Sequence, residues 1–280
     1  PDQSHAELIT KELRLRDARP VSTPGESESR DDDNGNNQLL SASDASTFRG
    51  VTARANYLAA DRTDLMYSVK DICRHTAAPT AGALKKLKRL GRHPLGNARM
   101  TTRYEWQGEE TEVTGFSDSD WAGWRTTGRS TSGGVVMIGT HFVKGWSKTQ
   151  GHVTISFAEA EMIALVKCTT ECMGIQSMFR DWGTSMACNL YADSSAALAI
   201  AKRKGAGKLR HINVSALWIQ DIQDREGASY MKVLGTENPA DLMTKYLTRD
   251  KVDGESIRWV RYCKRAEPMQ ALTSKARPTP

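Results

Sequence analysis

An α/β fold with a mixed central sheet is what the residue pattern of this 280-residue chain predicts. Three observations predict it. From Thr111 onward come three β-prone segments, separated by turn signals such as Thr-Thr-Gly-Arg-Ser and Gly-Thr-His, as in an antiparallel meander. A long helical stretch follows them. Beyond it strands and helices alternate, an order that packs helices against a mixed sheet.

The elements are taken in order. Residues 4–16 place Leu8, Ile9, Leu13 and Leu15 near helical spacing behind a serine cap candidate. The polar, acidic run that follows, through Asp31-Asp32-Asp33, has too few apolar residues to bury a core and reads as a linker. Residues 44–76 read as two helices, the first capped by Asp44 or Ser46, the second carrying Leu65, Val69 and Ile72. A third, over 81–95, sets Leu84, Leu87 and Leu90 against Lys85, Lys86, Lys88, Arg89 and Arg92. The leucines bury one face and the cations line the other, where phosphates could lie. Pro94 is expected to interrupt this helix.

Strands are expected at 112–119, 133–139 and 142–147, then a long or broken helix at 156–182. A strand at 188–192, helices at 194–203 and 211–226, a strand at 229–234 and a helix at 239–246 with Pro239 in its first turn complete the pattern. The Lys-, Arg- and Pro-rich tail from about 264 is expected to be disordered. The resulting division is 1–46, ending in the acidic linker; a basic helical segment, 47–110; an α/β domain, 111–250; and a tail, 251–280.

Bulk properties narrow the classes. Hydrophobic residues make up 39% of the chain, and no run approaches the roughly 18 apolar residues a membrane span needs. The start, Pro-Asp-Gln-Ser-His, offers no signal peptide, and the missing initiator Met is expected of a fragment or processed piece. Five cysteines without Cys-x-x-Cys spacing read as buried thiols in a reducing compartment, and Cys168 and Cys172 have no partner at ligand spacing. The net charge of +6 divides into −5 over 1–47, +6 over 48–110 and +5 beyond. A basic middle ahead of an acidic site suits a polyanion, although a solvated helix face has the same composition.

The acidic site begins at Asp118 and Asp120 in Phe-Ser-Asp-Ser-Asp-Trp-Ala-Gly, where glycine and polar residues suggest that a strand ends and a turn begins. Two carboxylates near a turn commonly serve as caps. Three further acids recur in matching settings: Glu161 in an early helical turn, Asp193 at a strand end and Asp241 after Asn-Pro-Ala. Together they form an oxygen-donor set suited to Mg²⁺.

These motifs, with Gly-Arg-Ser-Thr-Ser-Gly-Gly at 128–134, Trp-Ser-Lys-Thr-Gln at 146–150, Tyr-Ala-Asp-Ser-Ser-Ala-Ala at 191–197, Arg-His-Ile-Asn at 210–213 and Glu-Asn-Pro-Ala-Asp-Leu-Met-Thr-Lys at 237–245, occur in one order over about 130 residues. In that order they resemble the ribonuclease H region at the end of copia-type retrotransposon polyproteins. The stretch from Phe48 to Val69 resembles the segment joining the reverse transcriptase to that region. The polymerase's tyrosine-and-paired-aspartate motif is absent, so polymerisation is not implied.

The resemblance implies a ribonuclease H-like five-stranded sheet and hydrolysis of the RNA strand of RNA/DNA hybrids. It implies catalytic, metal-binding roles for Asp118, Glu161, Asp193 and Asp241, with two Mg²⁺ ions that Mn²⁺ can replace. Asp118 would lie between the ions, Glu161 and Asp193 on one and Asp241 on the other. Asp120 and Glu159 are read as supporting neighbours. Nucleic-acid contacts are expected from Lys85, Lys86, Lys88, Arg89 and Arg92, and from Ser117, Ser119, Ser194, Ser195 and His211. His211 also reads as a packing or capping residue, and Trp121 and Trp146 as stacking or core residues. The implied partners are the hybrid and the reverse transcriptase part of the same polyprotein, with no membrane. The implied location is a cytoplasmic retroelement particle, or the nucleus. The alternative function is a module without catalysis that binds nucleic acid or scaffolds the polymerase.

Overall fold

The computed structural model describes residues 3–27, 37–102, 104–205, 214–225, 227–253 and 260–263. Its first part is helical: α1 (Gln3–Glu12), α2 (Ala42–Ala59), a 3₁₀ turn (Thr63–Leu65), α3 (Met66–Cys73) and α4 (Ala81–Gly96). Ser41, rather than Asp44 or Ser46, caps α2 by accepting the Asp44 N–H at 3.1 Å, so the helix starts earlier than expected. Thr80 caps α4 in the same way from Ala83 N–H. Ile9, Leu13, Phe48, Val51, Leu58, Leu65, Ile72, Leu87 and Leu90 form one buried cluster among these helices. Pro94 does not interrupt α4, which continues to Gly96. It lies in the last turn, so one intrahelical bond is lost but little helix remains to be displaced.

After strand β1 (Arg99–Thr102) come β2 (Glu112–Trp124), β3 (Arg129–Ile138) and β4 (His141–Thr149), then α5 (Phe157–Asp181), β5 (Ala187–Ala192), α6 (Ser195–Lys202), α7 (Val214–Asp224) and β6 (Ser229–Lys232). A 3₁₀ turn (Pro239–Met243), α8 (Arg249–Asp253) and β7 (Val260–Cys263) close the described chain. The five-stranded sheet runs β4-β3-β2-β5-β6, with the first three strands antiparallel and β2, β5 and β6 parallel. This is the mixed, helix-flanked sheet expected of a ribonuclease H-like fold. The short strands β1 and β7 pair separately, antiparallel. His211, the acidic run 28–36 and the tail from 264 fall outside the described residues.

Two further elements differ from expectation. Strand β2 does not end at Ser119 but runs to Trp124, because β3 pairs with it through Asp120↔Thr131 and again at Trp124↔Arg129. Between these pairs the register shifts, and Ala122 adopts a left-handed φ of 53°. The segment after Pro239 is a short 3₁₀ turn rather than a helix reaching Tyr246.

Alternation along β2 decides what each face carries. Val113 packs with α5 in the main buried cluster, and a Cβ at Gly115 would lie 2.6–2.7 Å from the Cys172 and Cys168 sulfurs. Glycine is therefore what lets α5 approach the central strand. Phe116 faces the other way, against Val135, Leu242 and Met243. On that second face α3 docks through polar contacts. Lys70 Nζ donates to Thr131 Oγ1 at 2.8 Å, Arg74 donates to Thr131 and Thr149, and the Arg74 guanidinium lies 5.0 Å from the Trp124 ring centre. Cys168, Cys172 and Cys188 are buried free thiols, as expected, whereas the free thiol Cys73 is only half-buried. No helix among the described residues is long and apolar enough to cross a membrane.

Candidate metal centre

Each acidic residue of the candidate site is delivered by a different element. Asp118 comes from the middle of β2 and is 2% exposed. Its Oδ2 accepts the Thr244 hydroxyl, which follows the 3₁₀ turn. Glu161 lies in the second turn of α5 and is 1% exposed. The helix is aimed by its cap: Ser156 Oγ accepts the Glu159 N–H, and the Glu159 carboxylate accepts the Ile155 N–H at 2.8 Å. Glu159 is thereby committed to the helix start. Asp193 follows β5 directly, before α6.

These three acids converge. Asp118, Glu161 and Asp193 each present one ligand atom, all within 4.8 Å of one another. Glu161 Oε1 accepts the Ser119 N–H at 3.2 Å, whereas Glu161 Oε2 and Asp193 Oδ1 are buried without a hydrogen-bond partner among the described residues. The electrostatics match the crowding. Burial pushes the Asp118 carboxyl up to about 7, with the Asp241 and Asp193 charges adding to the rise and Lys245 and Thr244 opposing it. Burial, then the charges of Asp118 and Asp193, pushes Glu161 up to about 9. Asp193 is raised by burial and by Asp241. Buried, mutually repelling carboxylates with orphaned oxygens are a donor set that a hard divalent cation would satisfy. The residues present therefore fit a divalent metal ion.

Asp241 stands beside this group but not within it. The turn that carries it is tied to the central strand by Asn238, whose amide donates to the Ser117 carbonyl at 3.0 Å and whose Oδ1 caps Ala240 N–H. The Asp241 carboxylate is engaged by Lys245 Nζ at 2.7 Å, and the same ammonium lies 3.6 Å from Asp118 Oδ2. Burial would lower the Lys245 ammonium, but the charges of Asp118, Asp241 and Asp193 outweigh it and hold it above the usual lysine range. Thr244, Lys245 and Asn238 were not singled out by sequence reasoning. The four-residue step from Asp241 to Lys245 was the available signal.

The expected nucleic-acid contacts divide. Ser117 and Ser119 are buried, and the buried Ser194 hydroxyl caps α6 through Ala197 N–H, so these three hydroxyls are not presented at the surface. Ser195, next in the chain, is exposed and receives the Lys232 ammonium. On α4, Lys85 and Lys88 are exposed. Lys86 pairs with Asp71 at 2.9 Å, Arg89 with Glu26 at 2.8 Å, and Arg92 donates to the Arg19 carbonyl at 2.7 Å. Those three cations fasten α4 to neighbouring segments, along a cavity of about 580 Å³ that also takes in Leu15, Pro24 and Tyr246. Asp120 is half-buried, feels the charges of Lys70, Arg74 and Lys245, and is not one of the three converging ligands. Trp146 is a core residue, and Trp121 is 47% exposed with its indole N–H on the Thr154 carbonyl.

No protein-family model matches the chain. It is 29% identical over 210 residues to the retrovirus-related Pol polyprotein from transposon RE1 of Arabidopsis thaliana, covering 74% of this chain. The chain spans only 14% of that polyprotein's length. It is 30% identical over 167 residues to an uncharacterized mitochondrial protein of the same plant, covering 60% of this chain and 68% of that protein. Among solved structures it is similar to a ribonuclease H1 isolated from compost by a metagenomic approach, at 17% identity and a TM-score of 0.38, covering 48% of this chain and 93% of that one. On its sequence relatives, the chain belongs to the family of the retrovirus-related Pol polyproteins of copia-type transposons.

Proposed function

We propose that this chain hydrolyses the RNA strand of RNA/DNA hybrids, as the ribonuclease H segment of a transposon polyprotein, with two divalent cations held by its carboxylates. The observation that carries the reading is the convergence of Asp118, Glu161 and Asp193 within 4.8 Å, with orphaned oxygens on two of them. Asp118, Glu161 and Asp193 would hold one ion, and Asp118 with Asp241 the other. Bound divalent cations supply a nucleophile from water at neutral pH and neutralise charge on the phosphate.

The chain's own groups set the geometry. Ser119 N–H fixes the rotation of the Glu161 carboxylate, and the Thr244 hydroxyl fixes that of Asp118. Ser195, exposed two residues after Asp193, would meet a 2′-hydroxyl, the group that distinguishes RNA from DNA. Lys85 and Lys88, exposed on α4, would add sequence-independent phosphate attraction that weakens with salt. In this reading the partner is the reverse transcriptase part of the same polyprotein, in a cytoplasmic retroelement particle.

The test is cleavage of a labelled RNA/DNA hybrid with Mg²⁺, alongside EDTA and Asp193→Asn. Metal-dependent cutting of the RNA strand, lost in the variant, is the expected result. Hybrid binding by a folded protein without any cutting would replace this reading with that of a nucleic-acid-binding scaffold.

A further inference from the structure

We infer that the Lys245 ammonium is a built-in cation of the acidic centre, which a second divalent ion must displace in order to bind. The inference rests on the metal-centre reading above and deepens it, because it makes the two ion positions unequal. Asp118, Glu161 and Asp193 present a group of ligand atoms within 4.8 Å of one another, and Asp241 is not among them. Its carboxylate is instead held by Lys245 at 2.7 Å, and Lys245 also reaches to within 3.6 Å of Asp118 Oδ2. The ammonium thus bridges the same two carboxylates that the second ion would have to share.

The backbone makes this position durable. Lys245 N–H and Thr244 N–H both donate to the Asp241 carbonyl at 3.2 Å, and the Thr244 hydroxyl binds Asp118. The root of Lys245 is therefore fixed relative to both carboxylates. Its side chain is 48% exposed, so the ammonium can swing into solvent without opening the core. An ammonium seated there repels an incoming cation and satisfies a carboxylate that the cation needs as ligand. The first ion, on Asp118, Glu161 and Asp193, shares only one carboxylate with Lys245. The second shares two.

Two ligands that compete for one position are coupled negatively, and coupling between sites commonly amounts to about 5- to 150-fold in affinity. Mn²⁺ titration by isothermal calorimetry of the full chain, with Lys245→Gln, Lys245→Met, Lys245→Arg and Asp118→Asn, reads this directly. The expected result is two unequal steps in the unmodified chain. In both neutral variants the weaker step should tighten by about tenfold or more while the stronger changes less, and Lys245→Arg should keep the original pattern. Two neutral variants guard against one that fails to give a cooperative melt. If both neutral variants reproduce the unmodified isotherm while Asp118→Asn removes the first step, Lys245 is not the competing cation and the metal reading stands. Equal, unsaturable heats in the unmodified chain and Asp118→Asn would overturn the metal reading and this inference with it.

Discussion

The Ser119 N–H donates to Glu161 Oε1 across 3.2 Å, joining the central strand to the second turn of α5 at the point where three carboxylates meet. Glutamine at 161 keeps an oxygen to accept this bond and the same shape, but cannot serve as an anionic ligand. In the unmodified protein at pH 6 Glu161 is protonated when no metal is present, since burial pushes its carboxyl up to about 9. Glu161→Gln should therefore leave the metal-free melting temperature nearly unchanged. What it should remove is the stabilisation by Mg²⁺, about 2.7 kcal/mol at a hundred times the dissociation constant, or roughly 5–10 °C. Differential scanning fluorimetry with EDTA and with saturating Mg²⁺ compares the two. A full Mg²⁺ shift in the variant would show that Glu161 is not a ligand.

The same carboxylates predict a slope of stability with pH. Burial, with repulsion between the carboxylates, pushes Asp118 up to about 7 and Glu161 up to about 9 in the folded protein, against about 3.9 and 4.3 in an unfolded chain. A folded-state value raised above the unfolded one means that the contribution is fully present below about pH 4. It is then lost as pH rises through the folded values. Metal-free protein should accordingly lose stability between about pH 5 and pH 9, with Mg²⁺ flattening the slope because it binds the ionised form. Urea unfolding across this range with and without Mg²⁺ measures it, and parallel slopes would contradict the account.

Much of this centre was legible in the sequence because the acids lie in strongly patterned surroundings: Asp118 in an alternating segment, Glu161 behind a helix cap, Asp193 where a strand gives way to a helix. What was not legible depends on partners far along the chain. Nothing in Trp121-Ala122-Gly123 announces that β2 continues, because the continuation is supplied by pairing with Arg129 and Thr131. The basic run on α4 looked like one phosphate-facing stripe. The structure instead couples Lys86 to Asp71 and Arg89 to Glu26, pairings across 15 and 63 positions that helical periodicity cannot reveal. Lys245 went unremarked for a related reason: a helix was expected there, and a 3₁₀ turn placed its side chain over Asp118 instead.

The extension of β2 has a cost that can be tested. Ala122 holds a left-handed φ of 53°, and its N–H donates to Ser130 Oγ at 3.0 Å. An L residue there costs about 1–2 kcal/mol. Glycine avoids that cost but adds about 0.4–1 kcal/mol of unfolded-state freedom. The first effect is the larger, so Ala122→Gly should stabilise the protein by about 0.5–1 kcal/mol, because the N–H to Ser130 is retained. Ala122→Val, branched at Cβ, should destabilise by more than about 1 kcal/mol. Chemical denaturation of both variants decides the matter, and a loss of stability in the glycine variant would contradict the strain.

Away from the acidic centre, the helical region depends on one buried ion network. Arg62 donates to both Asp64 oxygens at 2.8 and 2.7 Å and to the Asn97 carbonyl at 3.1 Å, and His93 Nε2 lies 3.0 Å from Asp64 Oδ2. Burial alone would raise the Asp64 carboxyl, but the Arg62 guanidinium and the His93 contact outweigh it and hold it well below the usual range. A depressed folded-state value contributes stability that is present above about pH 4 and lost as pH falls through the folded value. Asp64→Asn should make that acid loss shallower and cost about 3–5 kcal/mol at neutral pH, because Arg62 stays buried without its carboxylate. Removing the cation as well, in Asp64→Asn with Arg62→Met, should recover part of the loss, since apolar packing often replaces a buried ion pair at little cost. Urea unfolding of the double variant and of both single variants, Asp64→Asn and Arg62→Met, measures the coupling. Strictly additive losses would mean that Arg62 and Asp64 are held in place independently rather than by each other.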